Sequence, residues 1–369
     1  LHTADWHLGK VLKGVDRTPE IGEALKALLE IVAKERVDLV AVSGDLFDRP
    51  QVSAEAEAMA VEFFLRLREL GVPALVIAGN HDPKERLEAL SPLFALAGTE
   101  VRGKPLFREE GGVVKVKGVE VALLPFVSER ILVKKVLQEA EERHRSYAYA
   151  MGRILDNLKS ALMLGHFALV GVRPGGGEFV FHLADSYAVP PSALPLEARY
   201  VALGHIHRQQ QVSEAPVAWY AGSLIQLDFG EGEGAERGIL LVEFPERGPV
   251  RVHPIRERWG KPLRTFRLKP EELDGRLGEM ERFPGYLRLV VEGRLSPVVR
   301  ERLFRVLPHL LAVESGGDTV PPPPPNPILD LVEAYGRYLE ERGRGEGGLL
   351  ERFGEVLREV ELEALAAGA

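Results

Sequence analysis

Four compact apolar runs, each followed directly by glycine, constrain the fold of this chain more than any other feature. They are Leu39–Ser43, Leu75–Ala78, Ala161–Leu164 and Tyr200–Leu203. Continuous apolar runs of this length predict strands that are buried on both faces of a sheet. Helical periodicity in Ile21–Arg36 and Glu55–Leu70 separates the first strands, and alternating strands and helices predict an α/β layered fold.

Two longer stretches extend this pattern. Residues 129–160 show helical periodicity throughout, and residues 212–255 show the pattern of a β meander with glycine-rich turns at 230–234. The chain has 369 residues, which is enough for about two or three domains.

A second unit is predicted at residues 261–312. Its elements are strands at Arg264–Lys269, Tyr286–Glu292 and Leu310–Glu314 and helices at Pro270–Glu281 and Pro297–Leu307. Strands and helices mixed in this way over so short a stretch predict a small α+β domain.

The last part of the chain has a different character. Five prolines at 321–325 predict a stiff, extended spacer, and two amphipathic helices are predicted after it, at 328–341 and 349–365. Helices on a tether cannot bury their apolar faces unaided, so this tail is expected to dock on a partner surface. The predicted division of the chain is a main domain at 1–258, a small domain at 259–315, a linker at 316–327 and a helical segment at 328–369.

Metal-binding residue types follow the predicted strands. The segments are Asp5-Trp6-His7, Gly44-Asp45-Leu46-Phe47-Asp48, Gly79-Asn80-His81-Asp82, Gly165-His166 and Gly204-His205-Ile206-His207. Ligands collect outside the carboxyl ends of strands in open α/β sheets, and a glycine permits a tight turn there. Each segment alone also fits a surface turn or a helix start, but all five together favour one metal site.

The donors in these segments outnumber the ligands that one tetrahedral ion needs. Carboxylate, imidazole and amide donors suit manganese, iron or zinc. The chain has no cysteine, which excludes thiolate ligands and a disulfide scaffold. The set fits two ions about 3.5–4 Å apart that share a bridging carboxylate. The seven candidate donors are Asp5, His7, Asp45, Asn80, His166, His205 and His207.

These motifs resemble the calcineurin-like metallophosphoesterase superfamily, which implies an α/β sandwich of two mixed sheets flanked by helices. Three segments resemble, residue by residue, the SbcD family of bacterial nuclease subunits: Leu1–Gly9, Ser43–Asp48 and Tyr220–Glu231. The resemblance is most specific in residues 1–231. It is weaker in the small α+β domain, which it implies to be a capping domain, and weakest in the C-terminal helical pair.

The resemblance also implies a role for each site residue. His81 resembles the family's catalytic histidine, which contacts the scissile phosphate, and the family prefers manganese. Asp48 either orients His81 or is a turn carboxylate. One ion is implied at Asp5, His7 and His207 and a second at Asn80, His166 and His205, with Asp45 bridging both.

The implied function is a two-metal DNA exonuclease and endonuclease that processes double-strand breaks and hairpins in repair, recombination and replication. The family implies a coiled-coil ATPase partner that binds residues 328–365. It also implies a homodimer formed through helices at Glu55–Leu70 and Lys84–Leu96, whose apolar residues fit an intramolecular core equally well. Two alternatives remain open: a small-nucleotide phosphodiesterase, and a scaffold for the ATPase with an idle metal site.

Charge is distributed unevenly along the chain. The net charge is −8, yet residues 251–312 contain 14 Lys and Arg against 8 Asp and Glu, a local balance of +6. Such residues can contact DNA phosphates without sequence choice, and a solvated charged face is the alternative. The candidate DNA contacts are Lys10, Lys13, Arg17, Arg294, Arg300, Arg302 and Arg305.

The sequence contains no uncharged apolar run of the length that a membrane span needs, about 18 residues. No membrane association is therefore expected. Together with the absence of cysteine, this favours a cytoplasmic location.

Overall fold

The computed structural model describes residues 1–128, 147–176 and 188–315. Residues 1–313 form one compact unit, and a second unit begins at Glu314. The predicted linker at 316–327 and helical segment at 328–369 lie outside the described residues. The domain division between residues 258 and 259 stays a prediction.

Short strands and helices alternate along the described residues. The strands are β1 (His2–Thr3), β2 (Val11–Leu12), β3 (Val15–Asp16), β4 (Val40–Ser43), β5 (Ala74–Ile77), β6 (Thr99–Arg102), β7 (Val113–Val116), β8 (Val119–Leu124), β9 (Leu162–His166), β10 (Tyr200–Gly204), β11 (Gln210–Glu214), β12 (Val217–Tyr220), β13 (Ile239–Glu243), β14 (Arg251–Ile255), β15 (Leu263–Leu268), β16 (Tyr286–Val291) and β17 (Leu310–Ser315). The α-helices are α1 (Thr18–Lys34), α2 (Ala54–Glu69), α3 (Lys84–Leu96), α4 (Tyr147–Asn157), α5 (Leu273–Glu281) and α6 (Pro297–Val306). The four strands predicted from apolar runs are confirmed to within two residues at each end.

Two six-stranded sheets form the main body. The strand order is β14-β13-β1-β4-β5-β6 in the first sheet and β11-β12-β10-β9-β8-β7 in the second. Inner strands pair in parallel, as β1, β4 and β5 do in the first sheet and β8, β9 and β10 do in the second. Antiparallel strands complete both edges of the second sheet and one edge of the first, whereas β6 at the other edge of the first sheet is parallel to β5. The predicted sandwich of two mixed sheets is confirmed.

The core explains why the central strands are uninterrupted apolar runs. Successive side chains of a strand point to opposite faces. Ala41 packs with Leu123 and Leu164 of the other sheet, whereas its neighbours Val40 and Val42 join the cluster beneath α1 and α2. A separate cluster places α4 on the outer face of the second sheet. Both faces of the central strands are therefore covered.

The predicted single meander at 212–255 is wrong. Strands β11 and β12 pair in the second sheet, whereas β13 and β14 pair in the first. The intervening segment passes the strand ends, where the Ser223 N–H donates to the carbonyl oxygen of His207 (3.0 Å). Local alternation looks the same in either sheet, so the sequence pattern cannot show that the chain changes sheets between the two hairpins.

Three strands are absent from the sequence prediction: β6, at an edge of the first sheet, and β7 and β8 in the second sheet. Charged residues at Glu100, Lys115 and Glu120 interrupt their apolar runs. The helical prediction for 129–160 is confirmed for α4, and residues 129–146 lie outside the described residues. None of the described helices has both the length and the apolar composition that a bilayer crossing requires.

The predicted α+β elements near the C-terminal end of the described chain are confirmed. Strands β15, β16 and β17 form a three-stranded sheet in that order, with β15 and β16 parallel. Phe266, Leu287 and Leu289 of these strands share a buried cluster with Met280 of α5 and Leu303 of α6. We call residues 263–315 the cap.

Arg17, immediately before α1, connects the main body to the cap. Its side chain is fully buried, and its guanidinium lies 5.3 Å from the ring centroid of Tyr286. Nε donates to Glu20 Oε1 (2.9 Å), Nη1 to the carbonyl oxygen of Gln226 (3.1 Å) and Nη2 to that of Lys261 (3.2 Å). The prediction that Arg17 contacts DNA is therefore wrong, because this side chain is enclosed within the protein.

We expect Arg17→Met to destabilise the protein strongly. The substitution leaves Glu20 without its buried partner, and breaking a buried ion pair costs about 3–5 kcal/mol. Urea unfolding of the full chain should show a free energy of unfolding lower by about that amount. Arg66→Met is the control, because Arg66 and Glu69 have the same i,i+3 spacing on an exposed surface. Equal stability of the two variants would contradict the assignment.

Candidate metal centre

All seven predicted donors meet at the carboxyl ends of the central strands. Asp5 and His7 follow β1, Asp45 follows β4, and Asn80 follows β5. In the second sheet, His166 ends β9, and His205 and His207 follow β10. Because the strands of each sheet are parallel there and the sheets face each other, five distant segments of the chain end in one place.

The first group of donors consists of Asp5, His7 and His207. Single donor atoms from these three residues lie within 4.8 Å of one another, and all three side chains are buried. The Nε2 atoms of His7 and His207 are 3.2 Å apart. This spacing of a carboxylate and two imidazoles suits one divalent cation.

The second group consists of Asn80, His166 and His205. The amide oxygen Oδ1 of Asn80 lies 3.0 Å from His166 Nε2 and 2.9 Å from His205 Nδ1. His166 is completely buried, and His205 nearly so. These three donors also converge on one point, beside the first group.

Asp45 lies between the two groups. Its Oδ2 atom is 3.7 Å from His7 Nε2 of the first group and 3.3 Å from His166 Nε2 of the second. Its Oδ1 atom accepts the His81 backbone N–H (2.9 Å). One carboxylate therefore faces both groups of donors.

The residues before two of the donors must be glycines, because donor side chains lie against the backbone there. A Cβ at Gly79 would lie 2.0 Å from Asp45 Oδ1, and a Cβ at Gly44 would lie 2.1 Å from His166 Nδ1. Asp5 (φ 53°), Asp45 (φ 51°) and His205 (φ 95°) themselves have left-handed backbone conformations. Such conformations are costly for residues with a Cβ and are typical of functional sites.

The donor arrangement itself fits bound cations. Asp5 Oδ1 accepts the His205 backbone N–H (2.9 Å), but Asp5 Oδ2 is buried without a hydrogen-bond partner. His166 Nδ1 donates to the carbonyl oxygen of Ser43 (2.8 Å), so its Nε2, which faces oxygen acceptors on Asn80 and Asp45, needs either a proton or a cation there. Positive charge at this point satisfies both the unpaired oxygen and His166 Nε2.

The pKa values of three site residues agree with a need for positive charge among the donors. Burial raises the pKa of Asp5 to about 6, since its charge lacks solvation. Burial would lower the pKa of His166, but the charge of Asp45 outweighs it and raises that pKa to about 9. Burial lowers the pKa of His7 to about 4, which keeps that imidazole neutral and able to bind a metal.

His81 lies at the rim of the centre, with its ring centroid 4.8 Å from that of His7. Its Nδ1 donates to the backbone carbonyl oxygen of Asp48 (2.9 Å). The Asp48 carboxylate makes no hydrogen bond to His81: its Oδ1 lies 3.2 Å from His7 Nδ1 and 3.1 Å from Lys10 Nζ. Asp48 thus orients His81 through its main chain and His7 through its side chain.

Two further carboxylates support the centre, and sequence analysis assigned neither a role. Asp82 is buried and accepts backbone N–H groups from Leu46 (3.2 Å), Phe47 (2.8 Å) and Gly79 (2.8 Å), so it joins the loops after β4 and β5. Glu231 contacts His207 from behind. The sequence marks Glu231 only as the last residue of the Tyr220–Glu231 segment that resembles the SbcD family, and no strand pattern connects it with His207.

The basic residues proposed as DNA contacts fall into two places. Lys13 is exposed in the turn between β2 and β3 and Lys10 is partly exposed, both close in sequence to His7. In the cap, Arg294, Arg302 and Arg305 are exposed. Arg305 pairs with Glu301 (2.8 Å), and Arg300 donates to the carbonyl oxygen of Val313 (2.7 Å). Six of the seven candidates therefore remain at least partly accessible.

Comparison with known proteins assigns the family. The family model described as calcineurin-like phosphoesterase matches residues 1–209, which includes every predicted donor. The chain belongs to the calcineurin-like phosphoesterase family. This membership, predicted from the strand-end motifs, makes the chain a metal-dependent phosphodiesterase with a divalent-metal site.

Individual proteins that are similar to this chain give a finer comparison than the family model. The SbcD component of the SbcCD nuclease from Bacillus subtilis is 32% identical over 276 residues, covering 71% of this chain and 70% of that protein. The same component from Rhodobacter capsulatus is 30% identical over 284 residues, covering 69% and 68%. A solved dimetal phosphatase from Danio rerio is 13% identical with a TM-score of 0.40, covering 68% of this chain and 97% of that chain; so distant a likeness decides nothing about function.

Proposed function

We propose that this phosphodiesterase is a two-metal DNA nuclease. The observation that carries the proposal is the placement of Asp45 between two groups of donors, one containing His7 and the other His166. In this proposal Asp45 bridges the two ions. Asp5, His7 and His207 hold one ion, and Asn80, His166 and His205 hold the other. Manganese is the proposed metal.

The chain's own residues define what the site does to a phosphodiester. When bound, two divalent cations supply an activated water near neutral pH and offset charge on the phosphoryl oxygens. His81 donates through Nδ1 to Asp48, which leaves Nε2 to hold a proton toward the phosphate. A proton given from there to the leaving oxygen contributes roughly 10²–10⁴-fold to the rate.

DNA is the proposed substrate for two reasons. Both relatives at about 30% identity are named as components of a nuclease. The described chain also carries accessible basic residues at which we propose that a duplex binds. They are Lys10, whose Nζ lies 3.1 Å from Asp48 Oδ1, Lys13 close to it in sequence, and Arg294 and Arg302 in the cap. We propose exonuclease and endonuclease activity on double-strand breaks and hairpins. A cytoplasmic location stays a prediction.

Digestion of an end-labelled duplex tests the substrate assignment. Chelator-treated full chain, resupplied with Mn²⁺, should cut the duplex and should hydrolyse a small phosphodiester dye less efficiently. Strong preference for the dye would favour the small-nucleotide phosphodiesterase. Failure to hydrolyse either substrate with Mn²⁺ bound would favour the scaffold alternative.

We also propose a homodimer formed through α2 and α3. These helices expose large apolar side chains to solvent, with Leu93 62% and Leu96 69% exposed on α3 and Val61 41% and Leu65 44% exposed on α2. Exposed apolar clusters of this kind mark interaction surfaces. The SbcCD name of the relatives supports the second proposed partner, a coiled-coil ATPase that binds residues 328–365.

Truncation after Thr319 is expected to remove ATPase binding and to leave Mn²⁺-dependent cleavage intact. All seven proposed ligands lie before residue 208, and the proline run at 321–325 is expected to hold the tail away from the body. Co-purification with the ATPase, the melting temperature and nuclease activity are the measurements. A truncated chain that melts several degrees lower or loses basal activity would show that the tail belongs to the core.

A further inference from the structure

Glu231 is a buried carboxylate that the proposed hydrolysis does not use. Its side chain is 1% exposed, and its Oε1 atom lies 2.8 Å from His207 Nδ1. Its Oε2 atom accepts the Leu227 N–H (3.0 Å) and lies 3.7 Å from Arg237 Nη2. With Nδ1–H directed at Glu231, the Nε2 lone pair of His207 faces His7, 3.2 Å away. The carboxylate therefore fixes both the tautomer and the direction of this imidazole.

The loop that carries Glu231 is attached to the cap. Gln226, at its start, is 4% exposed. Its amide nitrogen donates to the carbonyl oxygens of Glu231 (2.5 Å) and Leu263 (3.1 Å), and its amide oxygen accepts the Leu263 N–H (2.8 Å). Phe229, within the loop, packs in the same buried cluster as Leu263. Leu263 is the first residue of β15, so one side chain ties the loop to the first strand of the cap.

We propose that Glu231 is the positioning residue of His207 and that Gln226 ties this position to the cap. The inference rests on the proposed metal centre, in which His207 is a ligand. Glu231 touches neither substrate nor ion in this account and acts only through the imidazole. The cap thereby helps to shape one of the two ion sites, although every proposed ligand lies in the main body.

We expect substitution of Glu231 to weaken the binding of one of the two ions. Removal of a carboxylate or carbonyl partner behind a metal-bound histidine typically weakens metal binding by about 10–100-fold. Glu231→Ala should therefore weaken the ion held by Asp5, His7 and His207 by that factor. Glu231→Gln keeps an acceptor oxygen for His207 Nδ1 and should recover part of the loss. The second ion, which His207 does not bind, should keep nearly its wild-type affinity.

Two measurements on the full chain test this inference. Calorimetric titration of the chelator-treated protein with Mn²⁺ gives the affinity of each ion, and nitrogen-15 NMR of the metal-free protein gives the tautomer of His207. Wild type should show the Nδ1–H tautomer, and Glu231→Ala should show a tautomer mixture. Gln226→Ala, with Glu231 intact, should weaken the same ion. Glu236→Gln is the matched control, because Glu236 lies in the same segment and its side chain pairs with Arg256 instead (3.0 Å).

The outcomes separate this inference from the proposed function. Two ions in wild type with unchanged affinities and tautomer in Glu231→Ala would overturn the role of Glu231. Should the alanine variant not fold, Glu231→Leu, which also lacks an acceptor oxygen for His207 Nδ1, decides in the same way. Normal affinities in Gln226→Ala would overturn the tie to the cap. A wild-type chain that binds no divalent cation would overturn the proposed function together with this inference.

Discussion

Asp45→Ala is expected to abolish phosphodiester hydrolysis and to reduce the number of bound metal ions. The Asp45 carboxylate lies 3.7 Å from His7 Nε2 and 3.3 Å from His166 Nε2, so its removal strips a ligand from both proposed ion sites. Metal ions contribute several kcal/mol of transition-state stabilisation, so we expect a rate loss of roughly 10³-fold or more. Duplex cleavage and metal content after dialysis are the measurements.

A matched aspartate controls for nonspecific effects of the Asp45 substitution. Asp156 lies on α4 with its side chain 77% exposed, and Asp156→Ala should keep full activity and metal content. Two intact ion sites in Asp45→Ala, seen by calorimetry, would refute the bridging assignment.

His81→Asn should separate metal binding from turnover. The His81 ring donates a hydrogen bond to the backbone carbonyl oxygen of Asp48, and the His81 backbone N–H donates to Asp45 Oδ1. The backbone hydrogen bond does not depend on the side chain and is kept in the variant. We therefore expect both ions to bind, while the turnover number falls by about 10²–10⁴-fold through loss of the proton donor. Single-turnover cleavage at saturating Mn²⁺, alongside calorimetry, measures both quantities.

The exposed His253 supplies the comparison for His81. It pairs with Glu243 (2.9 Å) on the surface, and His253→Asn should cleave at the wild-type rate. Loss of either ion in His81→Asn would instead place His81 among the ligands.

The clustering of five donors, Asp45, Asn80, His166, His205 and His207, was predictable because each ends or follows a buried apolar strand. A strand covered on both faces must be an unbroken apolar run, and its carboxyl end is marked by the first polar residue after it. Asp45 after β4 and His166 at the end of β9 are examples. Parallel pairing then brings such residues together without any further information. Asp5 and His7 follow β1, which is His2–Thr3 and carries no apolar pattern, so only the resemblance of their motif predicted their place.

Residues outside these strands could not be placed from sequence. Glu231 is 24 positions from His207, and no periodicity connects a loop to the imidazole that it supports. Arg17 has the charge and position of a DNA contact, but burial between α1 and the cap depends on partners at Gln226 and Lys261. Such long-range contacts exist only after the two sheets and the cap have assembled.

Anomalous scattering from crystals grown with Mn²⁺ tests the central claim most directly. We expect two manganese peaks about 3.5–4 Å apart, one beside Asp5 and His207 and the other beside Asn80 and His166, with Asp45 contacting both. A single peak would contradict the two-metal account. So would a peak among His7, Asp48 and His81, whose donor atoms also lie within 4.8 Å of one another.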